Sequence, residues 1–171
     1  MKSSTAKSEH WIRSLKLEPH PEGGWYRETY RSSGSYDFSG TAPFEGARAY
    51  ATSIHYLLER GDRSRLHRIH SDELWYFHAG GPLEVHIYPE AGAPSSFILG
   101  TAADEGEVLH SWVPAGCWFG AFMPERDGRD NYALVSCVVA PGFDFRDFSF
   151  ADGAEMAARF PAQREIISRL S

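Results

Sequence analysis

Positive charge is in short supply in this chain: 17 Lys and Arg stand against 23 Asp and Glu, a formal net charge of −6. The basic residues are scattered and never form a block. Gripping a nucleic-acid backbone or an anionic membrane surface takes a dense positive face, so neither is an expected partner. Cysteine is equally scarce. Cys117 and Cys137 are the only two in 171 residues, too few for a disulfide framework. No stretch approaches the ~20 consecutive apolar residues of a membrane-spanning helix. The segment Met1 to His10 is polar and lacks the apolar centre of a secretory leader, so a cytoplasmic location is the expectation. A Gly-rich phosphate loop opening a helix, a nucleophile elbow and a Cys-x-x-Cys pair are also missing.

What is present is aromatic. Phe, Trp and Tyr make up 14% of the chain and hydrophobic residues 42%. Wide, rigid side chains suit a β-rich fold, and this length suits one domain spanning 1–171. Extended patterns recur between short turn signals: Trp25 to Arg31, Ala47 to Leu58 with Tyr50, Ile54, Tyr56 and Leu58 on one parity, Leu66 to His78 broken near Ser71–Asp72, and Leu83 to Tyr88. Ser96 to Leu99, Val108 to Val113, Cys117 to Met123 and Tyr132 to Ala140 continue the series. Residues 32–46 read as a loop, and Glu125 to Asn131 as a charged hairpin tip around Gly128. A helix is expected over 8–17 with Ser8 as its N-cap. Asp152 followed by Glu155 forms a capping-box pattern opening helices over 152–170. Many short strands flanked by helices predict an all-β sandwich or barrel, with its core over about 17–150.

Two segments carry chemistry. The first runs Ser64-Arg-Leu-His67-Arg-Ile69-His70-Ser-Asp72-Glu73-Leu-Trp75-Tyr-Phe77-His78-Ala-Gly80, and the second Val113-Pro114-Ala115-Gly116-Cys117-Trp118-Phe119-Gly120-Ala121. Strand parity places His67 with Ile69 on one face and Glu73 with Trp75 and Phe77 on one face.

Together these segments resemble the two motifs of the cupin superfamily. The first motif is His-x-His, a short spacer, Glu and then Gly; His67, Glu73 and Gly80 or Gly81 match. The second is Pro-x-Gly-x-x-His; Pro114 and Gly116 match. The segments Glu22-Gly-Gly-Trp-Tyr26-Arg-Glu28-Thr29-Tyr30, Ser71-Asp-Glu-Leu-Trp75 and Val138-Val-Ala-Pro-Gly-Phe143-Asp-Phe-Arg-Asp147-Phe148 resemble one narrower branch of it. The resemblance implies a double-stranded β-helix, or jelly-roll barrel, around a small-molecule pocket. The wider superfamily includes metal-dependent dioxygenases, sugar isomerases, metal-free sugar-nucleotide epimerases, and binding or storage proteins. The resemblance also implies a homodimer.

Cupin metal sites use three His and one Glu, and here the chain departs from the pattern. Ile69 stands at the second His and Phe119 at the third, and neither has a lone pair to give. Two ligands rarely hold a catalytic first-row metal. The expectation is a pocket without a metal cofactor. The alternative is a divalent ion such as Fe, Mn, Ni or Zn on His67, His70 and Glu73, if a bulge near Ser71 re-aims His70.

Without metal, the resemblance to metal-free epimerases makes His67 the base and Tyr26 the acid, with Glu73 orienting the ring. The competing reading is a buried His–Glu pair that only fastens two strands. Glu28 shares the face of Tyr26, and Trp75, Phe77, Phe119, Ala121 and Met123 are the expected ligand-binding walls. These aromatics could equally fill a closed core. His55, His86 and His110 stand alone on strands, and His10 and His20 near the N-terminus rank lower still as functional groups. The two thiols are expected as small buried hydrophobes, with Cys137 near Phe119 or Cys117 across an antiparallel pair. Asp144 and Asp147 interleave with Phe143, Phe145, Phe148 and Phe150, which predicts aromatics inward and acids in solvent. Two functions remain open: isomerisation or epimerisation of a sugar-like or nucleotide-sugar-like ligand, and ligand binding or sensing without catalysis.

Overall fold

A computed structural model describes residues 4–125 and 129–171. Of the charged tip expected over Glu125 to Asn131, residues 126–128 lie outside the described ones. The chain begins with α1 (Ser4–Leu15), then β1 (Glu18–Pro19), β2 (Trp25–Arg31), β3 (Ser35–Asp37), β4 (Ala47–Ala49), β5 (Thr52–Glu59), β6 (Arg63–Arg68) and β7 (Asp72–Gly80). It continues with β8 (Leu83–Tyr88), β9 (Ser95–Leu99), β10 (Glu107–Val108), β11 (His110–Val113), β12 (Trp118–Phe122), β13 (Tyr132–Ala140), β14 (Ser149–Phe150), α2 (Gly153–Arg159) and α3 (Arg164–Leu170).

Two six-stranded sheets form the body. One runs β1-β2-β5-β13-β7-β11, the other β10-β9-β8-β12-β6-β14, and β3 and β4 make a separate hairpin. β13 sits between β5 and β7, where its run of Val, Leu and Ala is covered on both faces. Its counterpart β12 lies between β6 and β8. Side chains from the inner faces of both sheets interdigitate in one cluster that includes Tyr56, Trp75, Val85, Ile87, Phe119 and Val135. Each large apolar side chain buried this way contributes about 1.5–3 kcal/mol relative to exposure. This arrangement is all-β, as the strand pattern predicts, and fits the jelly roll that the family resemblance implies.

The helices cover outer surfaces. Met156, Ile167 and Leu170 of α2 and α3 pack on Leu66, Tyr88 and Phe122 of the second sheet. The Asp152 carboxylate accepts from the N–H groups of Ala154 and Glu155, capping α2. Trp11, Ile12 and Leu15 of α1 pack against Leu57, Tyr132 and Leu134 of the first sheet. Among the described residues no helix is long and apolar enough to cross a membrane.

Several local expectations are corrected. The first helix starts before Ser8, whose buried hydroxyl donates to Glu59 Oε1 at 2.6 Å instead of capping the helix. The loop over 32–46 contains β3, which pairs with β4, and Tyr50 is exposed because the chain bends between β4 and β5. The stretch Val108 to Val113 is divided: β10 pairs with β9 in the second sheet and β11 with β7 in the first. β12 and β13 lie in different sheets and are not neighbours. Cys137 lies opposite Trp75 and Ile54, away from Cys117, and both thiols are free. Asp147 is not in solvent either. It is buried in a bidentate pair with Arg48, at 2.6 and 2.7 Å.

Candidate functional site

A cavity of about 400 Å3 opens between the two sheets. β2 supplies Tyr26 and Glu28, β5 Thr52 and Ile54, and β13 Cys137 and Val139. From the second sheet and its crossover come His67 and Ile69, and β7 adds Glu73. His20 and Glu22 enter from the turn before β2, and Phe143, Asp144 and Phe145 close over one side.

The turn is what brings Glu22 in. Gly23 and Gly24 adopt φ of +112° and +71°, and a Cβ on Gly23 would sit 2.1 Å from the Arg63 carbonyl oxygen. Only a residue without a side chain tolerates that approach. The Tyr56 hydroxyl donates to the Gly23 carbonyl at 2.7 Å and holds the turn down. With the turn pressed onto the sheet, Ser64 Oγ donates to Glu22 Oε1 at 2.9 Å. Glu22 Oε2 then lies 3.1 Å from His67 Nε2. The second ring nitrogen of His67, Nδ1, lies 2.6 Å from the Arg65 carbonyl oxygen, which can only accept. Nδ1 therefore carries a hydrogen, assigned from its partner. The Glu22 backbone N–H donates to His20 Nδ1 at 3.2 Å, and the His20 ring packs edge-on against Tyr26 at 4.4 Å.

Burial sets the charge states. Desolvation lowers the His67 pKa to about 4, against a smaller upward push from the Arg65 carbonyl. Desolvation also raises the Glu22 carboxyl above its usual range, opposed by His20, Ser64 and Tyr56. Both shifts favour the uncharged pair, a Glu22 O–H donating to the His67 Nε2 lone pair. Glu73 is pushed up to about 8, first by desolvation and then by the charge of Glu22, while the Cys137 thiol hydrogen bond pulls the other way. Near neutral pH the imidazole of His67 is thus neutral and Glu73 keeps its proton, and burial pushes the Glu22 carboxyl in the same direction.

The predicted residues divide into two groups. His67, Glu73, Tyr26 and Glu28 come together on the cavity wall. Trp75, Phe119, Ala121 and Met123 do not; they are buried in the packed core, and Phe77 packs against that core. Trp75 shares the face of Glu73, but further along β7 it meets the rings of Tyr56 and Phe119 edge-on and is closed off. Phe119 still touches the site, its ring centroid 4.1 Å from that of His67. Glu22, quoted in a motif segment without a role, and His20, ranked low among the histidines, are polar wall residues outside the expected set.

The resident residues do not fit a cupin metal. Apolar Ile69 and Phe119 occupy two of the ligand positions. His70 does not join His67 and Glu73: its Nδ1 lies 3.5 Å from Asp147 and its ring faces Phe44, beside a different groove. Among the described residues, no three His, Cys, Asp or Glu side chains are grouped to hold an ion.

Comparison with known proteins agrees with this architecture. Residues 9–151 match the family described as Cupin superfamily (DUF985). The Uncharacterized protein YML079W of Saccharomyces cerevisiae is 32% identical over 153 residues, covering 84% of this chain and 75% of that protein. A hypothetical protein from Leishmania major superposes with a TM-score of 0.86 at 35% identity, covering 96% of this chain and 98% of the other. Protein SO0799 from Shewanella oneidensis gives 0.83 at 36% identity, with 96% of each chain covered. Oxalate decarboxylase of Bacillus subtilis shares the fold alone, at 20% identity and a TM-score of 0.52 over 90% of this chain and 37% of that one. The chain belongs to the cupin superfamily, in the family described as DUF985.

Proposed function

We propose that this cupin moves a proton on a small carbonyl-bearing molecule, as an isomerase or epimerase working without a metal. The observation that carries the reading is the meeting of Glu22, His67 and Glu73 at one cavity, with burial shifting all three toward their uncharged forms. Glu22 and His67 act as one base. The proton on Glu22 passes to His67 Nε2, and the carboxylate left behind accepts the hydrogen from the substrate carbon beside the carbonyl. Glu73 donates its proton to the substrate, and Tyr26 supplies a hydroxyl on the same wall. The product is neutral, the imidazolium balances the Glu73 carboxylate, and exchange with solvent resets both.

A second reading, ligand binding without turnover, has one observation in its favour: His67 Nε2 already faces Glu22 at 3.1 Å and is not free to touch a substrate directly. Incubating the protein with hexoses and small hydroxy-carbonyl compounds in D2O separates the two. Proton NMR is expected to show deuterium entering next to the carbonyl, with the rate lost in Glu73→Gln and Glu22→Gln. Ligand-dependent stabilisation with no exchange in any compound would leave binding alone.

A further inference from the structure

We propose that the cavity takes an uncharged ligand, and that the Glu28–Arg31 pair at its mouth is the element that refuses anions. The inference rests on the cavity being the ligand site, not on whether chemistry follows there.

Among the described residues that line the cavity, Arg31 is the only Lys or Arg. Its three guanidinium nitrogens each donate one hydrogen bond. Nε donates to Glu28 Oε1 at 3.0 Å, Nη2 to Glu28 Oε2 at 2.7 Å, and Nη1 to the Phe143 carbonyl at 3.2 Å. A phosphate or carboxylate is held by just such a two-pronged donor, and Glu28 occupies both prongs. The next cation, Arg146, is spent in the same manner on Asp144, at 2.9 and 2.7 Å, and does not reach the lining. Deeper in, an anion would be stripped of water beside Glu22 and Glu73 with no countercharge. A cation fares little better near neutral pH. Glu22 Oε1 is taken by Ser64, Oε2 faces His67, and Glu73 holds its proton up to about pH 8. What remains suits a neutral molecule: hydroxyl and carboxyl groups that donate and accept, set among Ile54, Ile69 and Val139. This narrows the expected ligand away from nucleotide sugars, whose diphosphate is doubly anionic.

The test uses pyrophosphate and methylammonium as probes, with isothermal titration calorimetry and amide NMR on the intact chain. The wild type is expected to bind neither at about 10 mM, far above the range of a specific small-ligand site. Glu28→Gln keeps the shape of the side chain but releases Arg31, and pyrophosphate affinity is expected to rise at least about tenfold. Both partners are exposed, so this change should leave the thermal midpoint in place. Asp144→Asn releases Arg146, which is off the lining, and should give no such gain. Pyrophosphate or methylammonium shifting the Thr52, Ile54 and Val139 amides of the wild type would overturn the proposal. So would an equal gain in Asp144→Asn, or no gain in Glu28→Gln. Absence of deuterium exchange would remove the catalytic reading and leave this one standing; pyrophosphate entering the wild-type cavity would do the reverse.

Discussion

His67 Nε2 and Glu22 Oε2 lie 3.1 Å apart in a site from which water is nearly excluded, with the two residues exposed by only 2% and 7%. A buried ion pair must offset the loss of hydration of both charges, and the partners at hand are the Ser64 hydroxyl and the Arg65 carbonyl. The neutral pair avoids that cost while keeping the hydrogen bond. The same burial that removes charge also readies a proton for transfer, because a small change in surroundings decides which atom holds it.

Glu73 makes stability depend on pH in a defined direction. Its carboxyl titrates at about 8 in the folded protein and at about 4.3 when unfolded. Between those values the native state keeps a proton that the unfolded chain has lost. Stability therefore falls as pH rises through this window, by up to about 1.4 kcal/mol per pH unit. Glu73→Gln has no such proton. Urea unfolding at pH 5 and pH 9 is expected to show the variant gaining on the wild type at the higher pH. Parallel losses in both proteins would mean that Glu73 titrates normally.

Ser64→Ala removes the hydroxyl that donates to Glu22 Oε1. The expected stability loss is about 1 kcal/mol, the worth of one ordinary hydrogen bond. Deuterium exchange should slow further than this, because the carboxyl is no longer held toward the His67 ring. Chemical denaturation and exchange rates measured side by side check the prediction, which fails if exchange is unchanged.

Gly23→Ala places a Cβ 2.1 Å from the Arg63 carbonyl at a φ of +112°. The expected cost is about 1–3 kcal/mol of stability. The displaced turn should carry Glu22 away from His67. Thermal melts read the first effect, and the chemical shifts of the His67 ring read the second. A variant as stable as the wild type would show that the turn is not held down as described.

How much of this is legible in the residues alone varies along the chain. The limits of β2, β8 and β13 follow from turn residues and apolar runs, and Trp25–Arg31, Leu83–Tyr88 and Tyr132–Ala140 stand where the pattern puts them. Parity pairs His67 with Ile69 and Tyr26 with Glu28, while it is the family resemblance that puts His67, Glu73 and Tyr26 in one pocket. Parity says which face a side chain takes, however, and not how far along the strand the cavity ends. Glu73 reaches the cavity wall, whereas Trp75, on the same face, lies under Tyr56 and Phe119. Glu22 was hidden for another reason: in Pro21-Glu22-Gly23-Gly24 it reads as a turn residue. Its partners Ser64 and His67 are more than forty positions away, and only the close approach at Gly23 joins them. Asp147 was hidden likewise, since nothing near it in the chain announces Arg48.

That last pair yields its own prediction. Arg48 and Asp147 are both buried and share two hydrogen bonds. Asp147→Ala leaves an uncompensated guanidinium and is expected to cost about 3–5 kcal/mol. Replacing both residues with apolar ones, Arg48→Met with Asp147→Leu, should recover much of that loss. Urea midpoints of the single and double variants decide it; a single variant within about 0.5 kcal/mol of wild type would place the pair in solvent.

The charge state of the inner site is open to direct observation by 15N NMR of protein labelled at histidine. His67 is expected to remain a neutral imidazole, protonated on Nδ1 and unprotonated on Nε2, from alkaline pH down to about 4. An imidazolium signal from His67 at pH 7, with both ring nitrogens protonated, would contradict the shared-proton site on which the proposed chemistry stands.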